Sequence, residues 1–172
     1  HTLCYANPGP CRSGERHLAE PVIDQADASM LVTADRNFYS YAFWQRACAT
    51  RAKLLFRVRQ NLILPRQQEL PDGSYLTTVY PSTKARRNKT DGIQVRVIEY
   101  TLEGLPNPEP LYRLVTNWLD SAAAPAPELA ALYHRRWTIE EAFDEFKVHL
   151  AERAVVLRSK RPALVEQEFY AL

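Results

Sequence analysis

No apolar run in this sequence approaches the length of a membrane span, and no signal peptide is visible. Cysteine is scarce: Cys4, Cys11 and Cys48 cannot pair completely, and none sits in a CxxC spacing. The histidines, His1, His17, His134 and His149, do not complete a zinc pattern with them. The reading is free thiols in a reducing cytoplasm. Charge of one sign is lacking too. The net charge is +2, with a pI near 8.5, which permits a nucleic-acid partner without indicating one. Internal repeats and low-complexity tracts are absent as well.

What is there describes an ordinary globular chain. Its 172 residues, 46% hydrophobic and 24% charged, suffice for one core plus a small insertion. The chain starts at His1 rather than methionine and stops at EFYAL inside a helical pattern, so it reads as a piece of a larger protein.

Residues 1–15 carry Pro, Gly, Cys and Ser and read as irregular. Glu15 to Ile23 predicts a short helix with Leu18 and Val22 on one face. The run from Met30 to Ala34 is short, apolar and partly β-branched, and it stops abruptly at Asp35, as a buried strand does at a sheet edge. Arg36 and Asn37 make a turn. Ser40 then caps a helix to about Thr50, with Ala42, Phe43 and Ala47 inward. Lys53 to Arg59 reads as the next strand.

From Asn61 the texture changes. Pro71-Asp72-Gly73-Ser74 is a strong turn signal, and Tyr75–Tyr80, Ile93–Thr101 and Leu111–Leu119 read as strands. Between them lie a basic loop, Lys84 to Lys89, and a Pro-rich segment at 103–110. After Ser121 an Ala/Pro linker leads to helical periodicity from Pro127 to about Glu152, with a bend near Trp137. A last helix starts around Arg161-Pro162, since proline suits a first turn. The order strand–helix–strand, β insertion, long helix predicts α/β with an interruption. It divides the chain into 1–60, 61–120 and 121–172.

The stretch YHRRWTIEEAFDEFK, Tyr133 to Lys147, carries two sets of residues at helical spacing. At about 100° per residue, Tyr133, Arg136, Glu140 and Lys147 fall within roughly 60° of arc, and Ile139, Ala142, Phe143, Phe146 and Leu150 form an apolar stripe beside them. Taken alone, helix geometry favours reading Arg136 and Glu140 as an ordinary i,i+4 pair on a solvated helix edge.

The literal spacing adds more. Tyr133, Arg136, Glu140 and Lys147 resemble the Tyr-Arg-Glu-Lys signature of bacterial insertion-sequence transposases, the IS-four branch of the DDE class. The surrounding Arg136-Trp137-x-Ile139-Glu140-Glu141 and the upstream segment from Glu128 to Tyr133 look like that family. So does a second block, from Leu31 to Ser40 around Asp35, and a third, from Leu157-Arg-Ser-Lys160 through Gln167-Glu168. The resemblance covers nearly the whole chain. Many members have glycine where Asn37 stands; asparagine tolerates the left-handed conformation a turn there would need.

The resemblance implies a partial ribonuclease-H-like core interrupted by the β insertion, with Asp35 and Glu140 as catalytic, metal-holding carboxylates. Mg²⁺ (or Mn²⁺) would be the cofactor, in a two-metal site that cleaves and joins phosphodiesters. Tyr133, Arg136 and Lys147 would meet the backbone of double-stranded DNA, and pairing two transposon ends makes a homodimer plausible. Trp118 and Trp137 are expected in the core rather than stacked on bases.

A DDE site also needs a first aspartate on an opening strand. Asp24 and Asp27 lie only 11 and 8 residues before Asp35, in a helix-to-strand connection, so the first catalytic aspartate is expected outside the chain. Three readings stand at this point: part of the catalytic domain of an active transposase, a DNA-binding remnant of a decayed insertion sequence without catalysis, or an unrelated metal-dependent nuclease. The last leaves the spacing of Tyr133, Arg136 and Lys147 unexplained.

Overall fold

A computed structural model of the chain describes residues 5–7, 9, 14–101 and 111–136. Helix α1 (Glu15–Ile23) leads to strand β1 (Leu31–Ala34), helix α2 (Tyr41–Ala49) and strand β2 (Lys53–Arg57). There follow β3 (Gln68–Glu69), β4 (Tyr75–Val79), α3 (Thr83–Asn88), β5 (Ile93–Tyr100), β6 (Tyr112–Thr116) and α4 (Ala126–His134). Among the described residues the strands make one six-stranded sheet in the order β1-β2-β6-β5-β4-β3. β1 and β2 run parallel, joined through α2, and the remaining neighbours are antiparallel. The fold is mixed α/β. The strands of 61–119 continue the sheet begun by β1 and β2, with β6 seated directly on β2 through Phe56↔Val115.

Strand alternation sorts side chains onto two faces. Leu54, Phe56, Val97 and Val115 turn to the face covered by α1 and α2, where they pack with Ile23, Phe43, Trp44 and Ala47. Trp44 is fully buried and meets the Phe56 ring edge-on, centroids 5.2 Å apart. Leu55, Ile98 and Leu114 turn to the other face, where α4 covers them with Leu129 and Tyr133. Burying each such side chain contributes roughly 1.5–3 kcal/mol, which is why short helices of nine residues hold their shape here.

Local chemistry sets several boundaries. The Ser40 hydroxyl accepts from Phe43 N at 3.2 Å and starts α2 where the sequence predicts. Gly73 takes φ 81° in the β3–β4 turn, the left-handed region glycine enters without strain. β6 ends at Thr116 rather than near Leu119, because the Asn117 side chain replaces the next ladder bonds: its Oδ1 accepts from Leu54 N and its Nδ2 donates to Ala52 O, each at 2.8 Å.

Other expectations are corrected. Ala42 is exposed, and Trp44 takes an inward place beside Phe43 and Ala47 instead; in α1 the buried residue is Ile23. The basic segment Lys84–Lys89 is mostly helical, since the Ser82 hydroxyl caps α3 by accepting from Ala85 N at 3.1 Å and Lys89 closes it with φ 54°. Asn37 is not among the residues with positive φ, so the turn after Asp35 needs no left-handed residue; it closes through Phe38 N donating to Asp35 O at 3.0 Å.

The N-terminus of α4 follows Pro125, which offers no side-chain cap. The cap comes from the β3–β4 turn instead: Asp72 Oδ2 accepts from Ala126 N at 2.8 Å, across 54 residues of chain. Asp72 is held in turn by Arg96, whose side chain is fully buried and pairs with that carboxylate. Arg96 Nε also donates to Ser74 Oγ, and Arg96 Nη1 to Ala124 O, each at 2.7 Å. This network fixes α4 at one end, and so places Tyr133 at the other. Among the described residues no helix is long and apolar enough to cross a membrane. Cys48 is a free, half-buried thiol that burial pushes up to about 11, which makes it a poor nucleophile.

Candidate active site

β1 and β2 are parallel, and β6 and β5 alternate in direction after them. The carboxyl ends of β1, β2 and β5 therefore meet the amino end of β6 at one rim of the sheet. The residues there are Asp35, Arg57, Tyr100 and Tyr112. Arg57 shares the parity of Leu55, Tyr112 that of Leu114 and Tyr100 that of Ile98, so these side chains lie on the α4 face. The carboxyl end of α4 brings Tyr133, His134 and Arg136 to the same place. The expectation that Asp35 stands just beyond a strand end is met.

The geometry is close. Arg57 Nη1 lies 3.9 Å from Asp35 Oδ1, an ion pair at its outer limit, with side-chain exposures of 11% and 27%. The Arg57 guanidinium also sits over the Tyr112 ring at 4.7 Å. Tyr112 stacks on its cross-strand partner Tyr100 at 5.5 Å. His134 meets Tyr100 edge-on at 5.5 Å and Tyr112 at 6.0 Å. The Arg136 guanidinium lies 5.6 Å from the centre of the Tyr133 ring.

The electrostatics follow from burial next to charge. Tyr133 is 2% exposed. Burial raises its hydroxyl pKa, Arg136 opposes that, Asp35 adds to it and Arg57 opposes it, so the hydroxyl stays a proton donor beside the carboxylate. His134 is held below its ordinary value, first by burial and then by the Arg57 charge, and so tends to neutrality. Among the described residues, Asp35 Oδ1, the Tyr100 hydroxyl and His134 Nε2 are buried with no hydrogen-bond partner. Buried oxygens and nitrogens are rarely left so, unless a ligand or another segment completes them.

Of the residues singled out in the sequence, Asp35, Tyr133 and Arg136 are brought together. Glu140 and Lys147 lie outside the described residues, as do Trp137 and the proposed last helix. Trp118 packs at the edge of the α4-side core, as expected, with Lys53 Nζ 5.3 Å from its ring centre. Of the helical run expected from Pro127 to about Glu152 with a bend near Trp137, the described part is α4, which ends at His134, and residues 137–152 lie outside the described residues. The bonds at the end of α4 tighten to i→i−3, with Arg135 N donating to Leu132 O at 3.1 Å and Arg136 N to Tyr133 O at 3.0 Å. Asp24 and Asp27 serve locally, one pairing with Arg46 and the other accepting from Ser29.

Sequence reasoning missed Arg57, Tyr100, Tyr112 and His134. One signal was present, an arginine inside the apolar run Leu54-Leu55-Phe56-Arg57-Val58; a cation in a buried strand calls for a partner at the strand's end.

A family model described as "Transposase DDE domain" matches residues 1–172, the whole chain. The chain belongs to the DDE transposase family. Within the family it is 29% identical over 179 residues to the protein named transposase InsG for insertion sequence element IS4, from Escherichia coli (strain K12). The match takes in 100% of this chain and 39% of that relative, so the chain spans about two fifths of the length of the DDE transposase it resembles. DDE transposases as a family use divalent metal, and an oxygen donor such as the Asp35 carboxylate suits a hard cation. Among the described residues no group of three or more metal-ligating side chains occurs, and Asp35 is the described carboxylate at this rim.

Proposed function

We propose that this chain is part of the catalytic domain of a DNA transposase that cleaves and joins phosphodiester bonds at transposon ends. The observation that carries the reading is the meeting of Asp35, from the end of β1, with Tyr133 and Arg136, from the end of α4. A carboxylate with an unfilled, buried oxygen then stands beside a guanidinium and a protonated phenol.

In this reading Asp35 and Glu140 are the catalytic carboxylates and would hold Mg²⁺ or Mn²⁺. The metal, when bound, supplies charge stabilisation at the reacting phosphorus. Arg136 offers planar paired donors to a backbone phosphate, Tyr133 a hydroxyl donor and Lys147 a point charge. Arg57 balances Asp35 on its protein side. The sheet rim with α2 and α4 on opposite faces would be a ribonuclease-H-like core made by 1–60 and 121–172. Residues 61–120 would be an insertion whose strands extend the core's own sheet. Double-stranded DNA is the partner, in the bacterial cytoplasm, and two copies would be needed to pair two ends.

The test is the affinity of this chain for duplex DNA with and without Mn²⁺. Binding through Lys and Arg alone needs no carboxylate-held ion. Mn²⁺ should tighten binding by the wild-type chain, and Asp35→Asn and Glu140→Gln should each remove that gain while leaving metal-free binding in place. Affinity indifferent to Mn²⁺ would instead favour a DNA-binding remnant without catalysis.

A further inference from the structure

A second cationic feature lies on the other side of the sheet. A cavity of about 350 Å³ opens on the face covered by α1 and α2, walled by the turn after β1, the segment after β2 and the β4–α3 junction. Arg16, Arg36, Arg59 and Arg86 line it, together with Tyr39 and Asn61, and no carboxylate does among the described residues. Arg36 follows Asp35 directly, so the cavity and the candidate active site share the turn after β1 as a common wall.

The four arginines come from four separated segments. Lining one cavity with four guanidinium side chains concentrates positive charge there, and the chain's net charge of +2 shows that this is local clustering rather than a uniformly basic surface. Arg86 is pinned from behind, its Nη2 donating to Ile63 O at 3.0 Å. Arg16, Arg36 and Arg59 are exposed residues at the cavity's lining. Tyr39 is mostly buried, and burial pushes its hydroxyl up to about 12, so it remains a donor. A set made of guanidinium, phenol and amide groups matches the oxygens of a phosphodiester.

We propose that this cavity grips the backbone of a DNA segment distinct from the one at Asp35, through Arg16, Arg36, Arg59 and Arg86. The inference rests on the reading of the chain as a DNA transposase. DNA presents about one charge per 1.7 Å of duplex, so a strand passing the rim at Asp35 has phosphates within reach of both faces. The contacts are to backbone and read no sequence. The segment is either further along the transposon end or part of the target duplex.

The experiment measures duplex affinity of the whole chain against salt concentration. One duplex carries the terminal sequence of the transposon that encodes the chain; the other is unrelated in sequence. Arg16→Gln with Arg59→Gln removes two phosphate contacts, and the log–log salt slope should flatten by about 1.8. Flattening on both duplexes means a sequence-blind grip suited to target DNA, and flattening on the terminal duplex alone means the transposon end; either supports the site. Arg16→Lys with Arg59→Lys keeps the charge and should retain the slope, so a loss shared by the Lys and Gln pairs marks a folding effect and overturns the inference.

Arg136→Gln, on the opposite face, serves as the independent check. If it weakens binding while the Gln pair leaves the slope unchanged, the cavity inference falls alone. If the wild-type chain binds neither duplex, the transposase reading falls and the cavity inference with it.

Discussion

The molecule contains two arginine–aspartate pairs that do opposite things. Asp72 has both oxygens taken: Oδ1 by the Ser74 hydroxyl and backbone, Oδ2 by Arg96 and Ala126 N. Asp35 has a buried Oδ1 whose nearest described cation, Arg57, stands 3.9 Å away. The first pair ties a turn, a strand and a helix start into one network and has no capacity left for a ligand. The second keeps an oxygen in reserve at the rim of the sheet. Charge pairing alone does not tell a brace from a site; the number of unfilled lone pairs does.

Breaking each pair should show that difference in size. Asp72→Ala leaves Arg96 buried without its carboxylate and uncaps α4, so a loss of about 3–5 kcal/mol is expected, read as a fall in the urea midpoint. Acid should act on the same pair. Burial opposes ionisation of Asp72, but the bonds from Ser74 and Ala126 and the charge of Arg96 outweigh it and hold the carboxyl below its usual 3.8. The unfolded chain therefore takes up the proton first. The stabilisation is complete above pH 3.8 and is lost as pH falls through the lower native value, so the Tm-against-pH curve should steepen there and flatten in Asp72→Asn.

Asp35→Asn tests the other side of the comparison. With a partly exposed carboxylate and one distant ion pair to lose, stability should move by less than about 1 kcal/mol in the same urea titration, while Mn²⁺-dependent DNA binding disappears. A loss as large as that of Asp72→Ala would make Asp35 a second brace. The smallest effect concerns His134. Its native pKa is lowered, so its contribution is present above about 6.5 and is lost as pH falls below that, where the unfolded chain protonates first. His134→Gln should remove this shallow slope from the Tm profile between neutrality and mild acid.

The legible parts of this protein were the locally coded ones. β1 ending at Asp35, the Ser40 cap and the turn at Asp72-Gly73 depend on neighbours within a few residues, and they stand where the pattern puts them. α3 reads as a loop in the sequence although Ser82 carries a capping hydroxyl, because six residues rich in Lys and Arg show no apolar stripe. Near the bend expected at Trp137, a repeat of about 3.6 residues continues through Arg136 in the sequence, whereas the backbone already tightens after His134.

The sequence by itself determined which residue types could do phosphate chemistry and the spacing that ties Tyr133 to Arg136. It also determined the strand end that carries Asp35, because a run of apolar and β-branched residues cannot continue through a carboxylate and a turn. Only the tertiary structure decided that Arg57 and Tyr112 join that carboxylate, that Asp72 caps a helix 54 residues away, and that Arg16, Arg36, Arg59 and Arg86 share one cavity. Those relations come from strand order and register, and the hydrogen bonds that set them join segments far apart in the chain.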